Sequence, residues 1–233
     1  MLLHGKGWNP NGTGNLALNI TAPFKLDAFT YAAELRERAK LAGAANAMKF
    51  EGDRALADNF DGVGLVSGIT RNLDCLMKGR RVLLLGAGGA VRGAIMPFLS
   101  QQPAEFVIAN RTVGKAQALA GQFAPFGSCA ALGYDAPADR GASDIVVNGT
   151  SASLRGKLTP VPAVSFNPDG LASELAYGKG LAPFLRVARG AGVARVADGV
   201  GMLVEQAAEA FAWWRGVRPE TGPTIDRMTI PLT

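Results

Sequence analysis

The sequence predicts an α/β fold: a doubly wound domain built on a parallel sheet, preceded by a smaller α/β domain. Three observations predict it. A continuous apolar run at 81–85 (RVLLL) leads at once into Gly86-Ala87-Gly88-Gly89, strand-like and helix-like segments then alternate to about residue 200, and the texture before residue 75 is different. A short run with no polar alternation is what a strand buried on both faces requires, and regular strand–helix alternation is the signature of a parallel sheet with helices on both sides.

In chain order, 27–41 has helical periodicity and ends at Gly43. Residues 46–50 and 54–58 flank Glu51-Gly52-Asp53 and form a hairpin, and a helix follows over 62–73. The segment 72–79 gathers Asn, Asp, Lys and Gly between two periodic stretches and marks a boundary. Beyond it come strand 81–85, helix 90–99, strand 105–110, helix 113–123, strands 144–148 and 170–175, helix 183–191 and strand 194–197. Pro97 is expected to kink or shorten its helix. A last helix over 202–214 is stopped by Gly216 and Pro219. Residues 1–73 thus form the smaller domain, 74–200 the doubly wound domain, 201–218 a helix returning to the smaller domain, and 219–233 a tail.

Composition narrows the chemistry. With 48% hydrophobic and 18% charged residues among 233, the chain suits a folded protein with an ample core. No apolar run approaches the roughly 20 residues that cross a bilayer, and the opening lacks the apolar stretch of a secretory signal. Cys75 and Cys129 are too few and too far apart for a disulfide framework or a zinc site, and read as buried thiols in a reducing cytoplasm. The net charge of +5 comes from scattered basic residues without interleaved aromatics, so a small anionic ligand fits better than nucleic acid. His4, the single histidine, sits in a Gly- and Asn-rich opening, which leaves acid–base work to other side chains.

The strand, glycine turn and helix at 81–99 make a phosphate site. A helix N-terminus offers unpaired N–H groups and a positive dipole end, and glycine lets a pyrophosphate approach the backbone. The pattern Gly86-x-Gly88-Gly89-x-x-x-Gly93 departs from G-x-G-x-x-G, with Val91 where the third glycine would stand. The next strand ends in Asn110-Arg111-Thr112, followed by Lys115, where an NAD-binding fold carries a carboxylate for the ribose hydroxyls. Arginine pairs with phosphate and a carboxylate would repel it, so Arg111 points to a 2′-phosphate rather than an ordinary surface position, and the expected cofactor is NADP. The domain is accordingly Rossmann-like.

Elsewhere, Pro23 rigidifies the loop that presents Lys25, which could otherwise be an exposed helix-start lysine. Hairpin geometry brings Asn46, at the start of one strand, close to Asp61, just past the end of the other; Asp61 could equally be only a helix N-cap. Gln206 lies on the apolar helix face of Met202, Leu203 and Ala210 and needs a buried partner.

At these residues the sequence resembles the shikimate dehydrogenase family. Asn19-Ile20-Thr21-Ala22-Pro23-Phe24-Lys25 is similar to its N-V-T-x-P-x-K, Gly43 to Ala47 to its G-A-V-N-T, and Asn59 to Gly62 to its N-T-D-G. The turn Gly86-Ala87-Gly88-Gly89-Ala90, Asn110-Arg111-Thr112 and the run from Asp198 through Gly199 to Gln206 match in order and spacing, while Asn148-Gly149-Thr150-Ser151 is similar to the family's N-A-T-S and Tyr177 to its strand-end tyrosine. The resemblance implies reversible reduction of 3-dehydroshikimate to shikimate with NADPH, in chorismate and aromatic amino acid biosynthesis. Lys25 and Asp61 would be the catalytic pair; Thr21, Asn46, Asp61, Gln206 and Tyr177 would contact substrate. Gly86 to Ala90, Asn110 to Thr112, Lys115, Asn148, Thr150, Ser151 and Gly199 would hold the cofactor. No metal is required, because the lysine supplies the positive charge, and the resemblance admits a homodimer.

There are departures. Family members open with a strand, a helix and a second strand, the first carrying an S-x-S pair for the substrate carboxylate, and no S-x-S precedes Asn19 here. Ala47 and Phe60 replace threonines, and Leu181-Ala182 lacks one near Pro183. The substrate domain is thus expected to be incomplete at its start, with cofactor binding stronger than turnover. Two other readings follow: a truncated NADP-binding paralogue with little or no activity, and a quinate/shikimate-like dehydrogenase.

Overall fold

A computed structural model of the protein describes residues 17–21, 23–136, 140–152, 157–178, 180 and 182–232. His4, Ala22 and Leu181 lie outside them.

The apolar runs form two sheets. The larger has six parallel strands in the order β10-β9-β8-β5-β6-β7: β5 (Arg81–Leu85), β6 (Glu105–Ala109), β7 (Ala130–Leu132), β8 (Ser143–Asn148), β9 (Phe166–Glu174) and β10 (Arg195–Ala197). Alternate side chains of its central strands feed two cores. Val82, Leu84, Ile108, Ile145 and Val147 pack in one with α4 (Gly89–Leu99) and α5 (Val113–Phe123), while Leu83, Leu85, Val107 and Val146 pack in the other with α6 (Pro183–Gly190). Strand order departs in opposite directions from β5, toward β6 on one side and β8 on the other. In open parallel sheets a ligand crevice lies at that switch point, beyond the carboxyl ends of the strands.

The smaller sheet runs β1-β3-β4-β2, from β1 (Ala17–Asn19), β2 (Glu34–Leu35), β3 (Ala47–Glu51) and β4 (Arg54–Asp58). Its central pair is the expected hairpin, with Ala47 opposite Asp58. The predicted helix 27–41 is instead two, α1 (Lys25–Tyr31) and α2 (Glu37–Ala42), separated by β2. The backbone turns extended at Ala32 so that Glu34 and Leu35 pair in parallel with Leu56 and Ala57, and Leu35 packs on the Leu18–Ile20–Met48 cluster. A strand buries those apolar residues as well as a helix would, so periodicity alone did not separate the two.

Helix 62–73 is α3 (Asp61–Ser67) running into a π-helical turn over Gly68–Asn72. Pro97 does not shorten α4, which continues to Leu99. Proline cannot donate to the Gly93 carbonyl four residues back, and that oxygen faces α3 at Gly62, where an added Cβ would sit only 2.1 Å from it. β9 begins earlier than expected, and β1, β7 and α8 (Gly222–Met228) were not anticipated. Their three-residue strands and polar helix carry too few apolar residues for a period to show. Cys75 is buried as expected; Cys129 is only partly so, yet burial pushes its thiol up to about 12. Among the described residues no helix is long and apolar enough to cross a membrane.

Candidate active site

Helix α7 (Val200–Arg215) packs against α3 and brings Gln206 to the open end of the hairpin. There four predicted residues converge. Lys25, at the first position of α1, places Nζ 2.5 Å from Asp61 Oδ2. Asn46 Nδ2 donates to Asp61 Oδ1 at 2.8 Å and to Gln206 Oε1 at 3.0 Å. Gln206 in turn donates to Leu203 O at 2.9 Å. Asp61 is 5% and Asn46 1% exposed, whereas the Lys25 side chain keeps 29%. A buried carboxylate with both oxygens engaged thus holds a lysine that still reaches solvent.

Backbone geometry fixes this cluster. Phe24 N–H closes a turn on Thr21 O at 3.0 Å, Ala45 N–H donates to Lys25 O at 3.0 Å, and Ile20 N–H donates to Asn46 O at 2.7 Å. Asp61 is not the helix cap: Phe60 is the N-cap residue, and Asn59 Oδ1 takes the Asp61 N–H at 3.0 Å. Its carboxylate is thereby left for Lys25 and Asn46. Asn59 also donates to Ala44 O, and Asn46 Oδ1 accepts from Phe60 N–H. Asn19, on β1, was quoted only as part of a motif, yet its Nδ2 lies 3.4 Å from Gln206 Oε1. Thr21 and Tyr177 are exposed, and among the described residues no hydrogen bond ties either side chain to the cluster.

The second group lies at the switch point. Gly86 has φ +113°, a conformation that demands glycine. Gly88 and Gly89 differ: both have ordinary φ, both are exposed, and a Cβ added at either would meet nothing within 4 Å. Among the described residues nothing excludes a side chain there, and glycine leaves the backbone at the α4 N-terminus bare, which is what close approach of a phosphate requires. Ala87 and Ala90 complete the turn, and Gly93 is used for packing on α2 and Asn59. At the end of β6, Asn110 Nδ2 donates to Thr112 O at 2.9 Å; Arg111, Thr112 and Lys115 are exposed, and no ion pair engages Arg111 or Lys115 among the described residues. Burial holds the Tyr134 phenol above its ordinary range, opposed by the Arg111 backbone N–H and charge, so the β7 end packs beside this turn.

At the end of β8, Asn148 is fully buried. It donates to Glu174 Oε2 at 2.6 Å and accepts from Thr150 N–H at 3.2 Å, from Thr150 Oγ1 at 2.9 Å and from Thr159 Oγ1 at 3.3 Å. Asn148 therefore shapes the loop that leaves Ser151 exposed. Glu174 and Thr159 had no sequence signal, being a strand residue and a loop residue with no motif around them. Gly199 is demanded by packing, since its Cβ would lie 2.1 Å from Leu175 O.

Among curated proteins, the NADP(+) shikimate dehydrogenase of Chromobacterium violaceum is 54% identical over 209 residues, covering 90% of this chain and 76% of that one. The chain belongs to the shikimate dehydrogenase family. The shikimate dehydrogenase of Nitrosospira multiformis is 52% identical, covering 94% and 79%. The family model for Shikimate / quinate 5-dehydrogenase matches residues 69–155, and that for the shikimate 5'-dehydrogenase C-terminal domain matches 199–228. A Pseudomonas putida enzyme designated Ael1 superposes with TM-score 0.87 at 57% identity, covering 93% of this chain and 79% of that one. The Thermus thermophilus shikimate 5-dehydrogenase, solved with NADP(H) and shikimate, gives 0.77 at 28% identity, covering 91% and 79%.

Proposed function

We propose that the protein is an NADP-dependent shikimate dehydrogenase that reversibly reduces 3-dehydroshikimate to shikimate. The observation that carries this is Lys25 held at 2.5 Å by the buried Asp61, beside the paired carboxamides of Asn46 and Gln206. Bound reduced nicotinamide supplies the hydride that the substrate ketone accepts. Gly86, Gly88 and Gly89 would hold its pyrophosphate, Arg111 and Lys115, which make no ion pair among the described residues, would take the 2′-phosphate, and the Asn148–Thr150 loop would border the dinucleotide.

As the ketone becomes an alkoxide, Lys25 donates a proton to that oxygen, and in the reverse direction accepts one from the hydroxyl. Asp61 keeps the ammonium in place and stabilises it. Asn46 holds the other carboxylate oxygen, so that Oδ2 faces the lysine. Gln206 has one N–H on Leu203 O and offers the other, with Thr21, to ring hydroxyls; Tyr177, in the loop after β9, would contact the substrate. Division of labour follows the sheets, with 1–73 binding substrate, 74–200 binding cofactor and the α7 segment 201–218 reaching back.

The test is NADPH consumption with 3-dehydroshikimate and, separately, with 3-dehydroquinate. We expect 3-dehydroshikimate to be preferred, and Lys25→Ala to lower turnover by about 10²–10⁴-fold while leaving NADPH affinity nearly unchanged. Full turnover in Lys25→Ala would remove the lysine from the mechanism, and a preference for 3-dehydroquinate would reassign the substrate.

A further inference from the structure

Val91 stands where a dinucleotide turn ordinarily places its third glycine, the one that lets the helix close on its strand. Its side chain is fully buried in the core with Val82, Leu84 and Ile95. It is wedged beneath the ends of two neighbouring strands. A Cβ added at Gly86 would lie 3.2 Å from Val91 Cγ2, and one added at Gly149 would lie 2.4 Å from the same methyl.

These two glycines are present for different reasons. Gly86 needs its left-handed φ whatever its neighbours are. Gly149 has no such φ, and its N–H bonds Leu85 O at 2.9 Å in an ordinary extension of the ladder between β5 and β8. Its backbone would accept any residue; the methyl of Val91 is what excludes one. That methyl cannot swing aside, because a valine on a helix has essentially one side-chain rotamer. Shifting Gly149 sideways gains nothing either, with Leu85 O at 3.4 Å and Leu175 Cδ2 at 3.5 Å.

We propose that Val91 and Gly149 are a matched pair that sets the gap between the glycine turn at 86–89 and the loop at 148–151, which makes Gly149 a positioning residue for the dinucleotide. The bulk gained at 91 is balanced by the Cβ missing at 149. An alanine at 149 has to open this gap by about 1 Å, from 2.4 Å to the 3.4 Å at which ordinary contact begins. Displacements of that size at a binding lip change function by orders of magnitude. The inference rests on the glycine turn being the seat of the cofactor.

The experiment uses the full chain and compares Gly149→Ala, Val91→Ala, their combination, and Gly88→Ala. The readouts are thermal unfolding without cofactor and NADPH titration by fluorescence. Gly149→Ala is expected to melt earlier and to bind NADPH about tenfold or more weakly. The combination is expected to bind within about threefold of the unmutated protein and to lose less stability than the two single changes summed, the non-additivity of residues in contact. Should Gly149→Ala not fold, the combination decides: folding with NADPH binding supports the pair, and failure there overturns it. Undiminished NADPH affinity in Gly149→Ala, or a combination no better than Gly149→Ala, also overturns it. Gly88→Ala separates the underlying reading, because among the described residues its Cβ meets no atom within 4 Å. Weakened NADPH with unchanged melting places the cofactor on the turn, whereas unchanged affinity removes the seat, and the pair's role with it.

Discussion

Single residues carry the chemistry, and the most legible of them were those whose partners follow from backbone geometry. Asn46 and Asp61 are far apart in sequence but lie at one open end of a hairpin, which is enough to predict their contact, observed at 2.8 Å. Gln206 on an apolar helix face required a buried partner and has one in Asn46. Asn19 and Asn59 were less legible, because a carboxamide in a loop has many uses and only the folded chain selects one. Arg111 gives a test at this scale. It is exposed and without an ion pair among the described residues, so its charge is available to a 2′-phosphate. Losing one charge-assisted contact costs about 1.5–3 kcal/mol, so Arg111→Ala should weaken NADPH by roughly tenfold or more and leave NADH nearly unaffected. Parallel titrations with the two cofactors check this, and equal losses for both would assign Arg111 to the fold instead.

Among the elements, α3 shows how glycines written in a short helix become packing surfaces. Gly62 meets α4 at the Gly93 carbonyl, and Gly64 meets α7, where an added Cβ would lie 2.6 Å from Gln206 N and 2.8 Å from Met202 O. Gly68, at the π-helical turn, faces the Gly201–Met202 backbone, where an added Cβ would lie 3.2 Å from Gly201 C and from Met202 N. The sequence showed these glycines but not their purpose, since helix-on-helix approach depends on elements distant in the chain. The same limit hid the break between α1 and α2, which exists because β4 offers an edge to pair with. Strands 81–85 and 54–58, by contrast, matched at both ends, because apolar runs bounded by turn residues leave no alternative. Gly64→Ala tests the element scale. Overpacking a backbone contact costs about 1–3 kcal/mol, and in a protein of this size each kcal/mol lowers Tm by about 2–4 °C. Melting should therefore fall by several degrees. KM for 3-dehydroshikimate should rise more than KM for NADPH, because the displaced atoms belong to Gln206. An unchanged Tm would show that α7 can retreat freely from α3.

For the whole molecule, the question is what binds the two sheets and the C-terminal segment into one body. Arg92 on α4 donates to Leu41 O at the end of α2 at 3.1 Å, and α7 lies along α3 while beginning at the ends of β9 and β10. A buried tie is made by Glu205 of α7. Only 1% exposed, its carboxylate accepts from Thr221 Oγ1 at 2.7 Å and Asn72 Nδ2 at 3.0 Å and pairs with Arg218, which also holds Glu209 at 3.0 Å. It thus connects the π-helical turn, α7 and the segment leading into α8. None of this was legible, since Glu205 lies beside Gln206 in a helix that reads as amphipathic and its partners come from three places. Burial alone would raise the Glu205 pKa, but the hydrogen bonds from Thr221, Asn72 and Arg218 outweigh it, and the group is held below the usual glutamate range. A carboxyl depressed on folding stabilises the native state above its unfolded pKa. That contribution is lost as pH falls through the folded value, so it fades below the ordinary glutamate range and is complete at neutral pH. Arg218→Ala removes one partner from a buried carboxylate, which costs about 3–5 kcal/mol when both groups are buried. The Arg218 side chain is 32% exposed, which places the expected loss at the low end of that range. Denaturant unfolding of both proteins at pH 7 and at pH 3.5 should show the difference at neutral pH and a smaller one in acid. A difference that does not shrink as pH falls would mean that Arg218 acts through its packing and not through its charge.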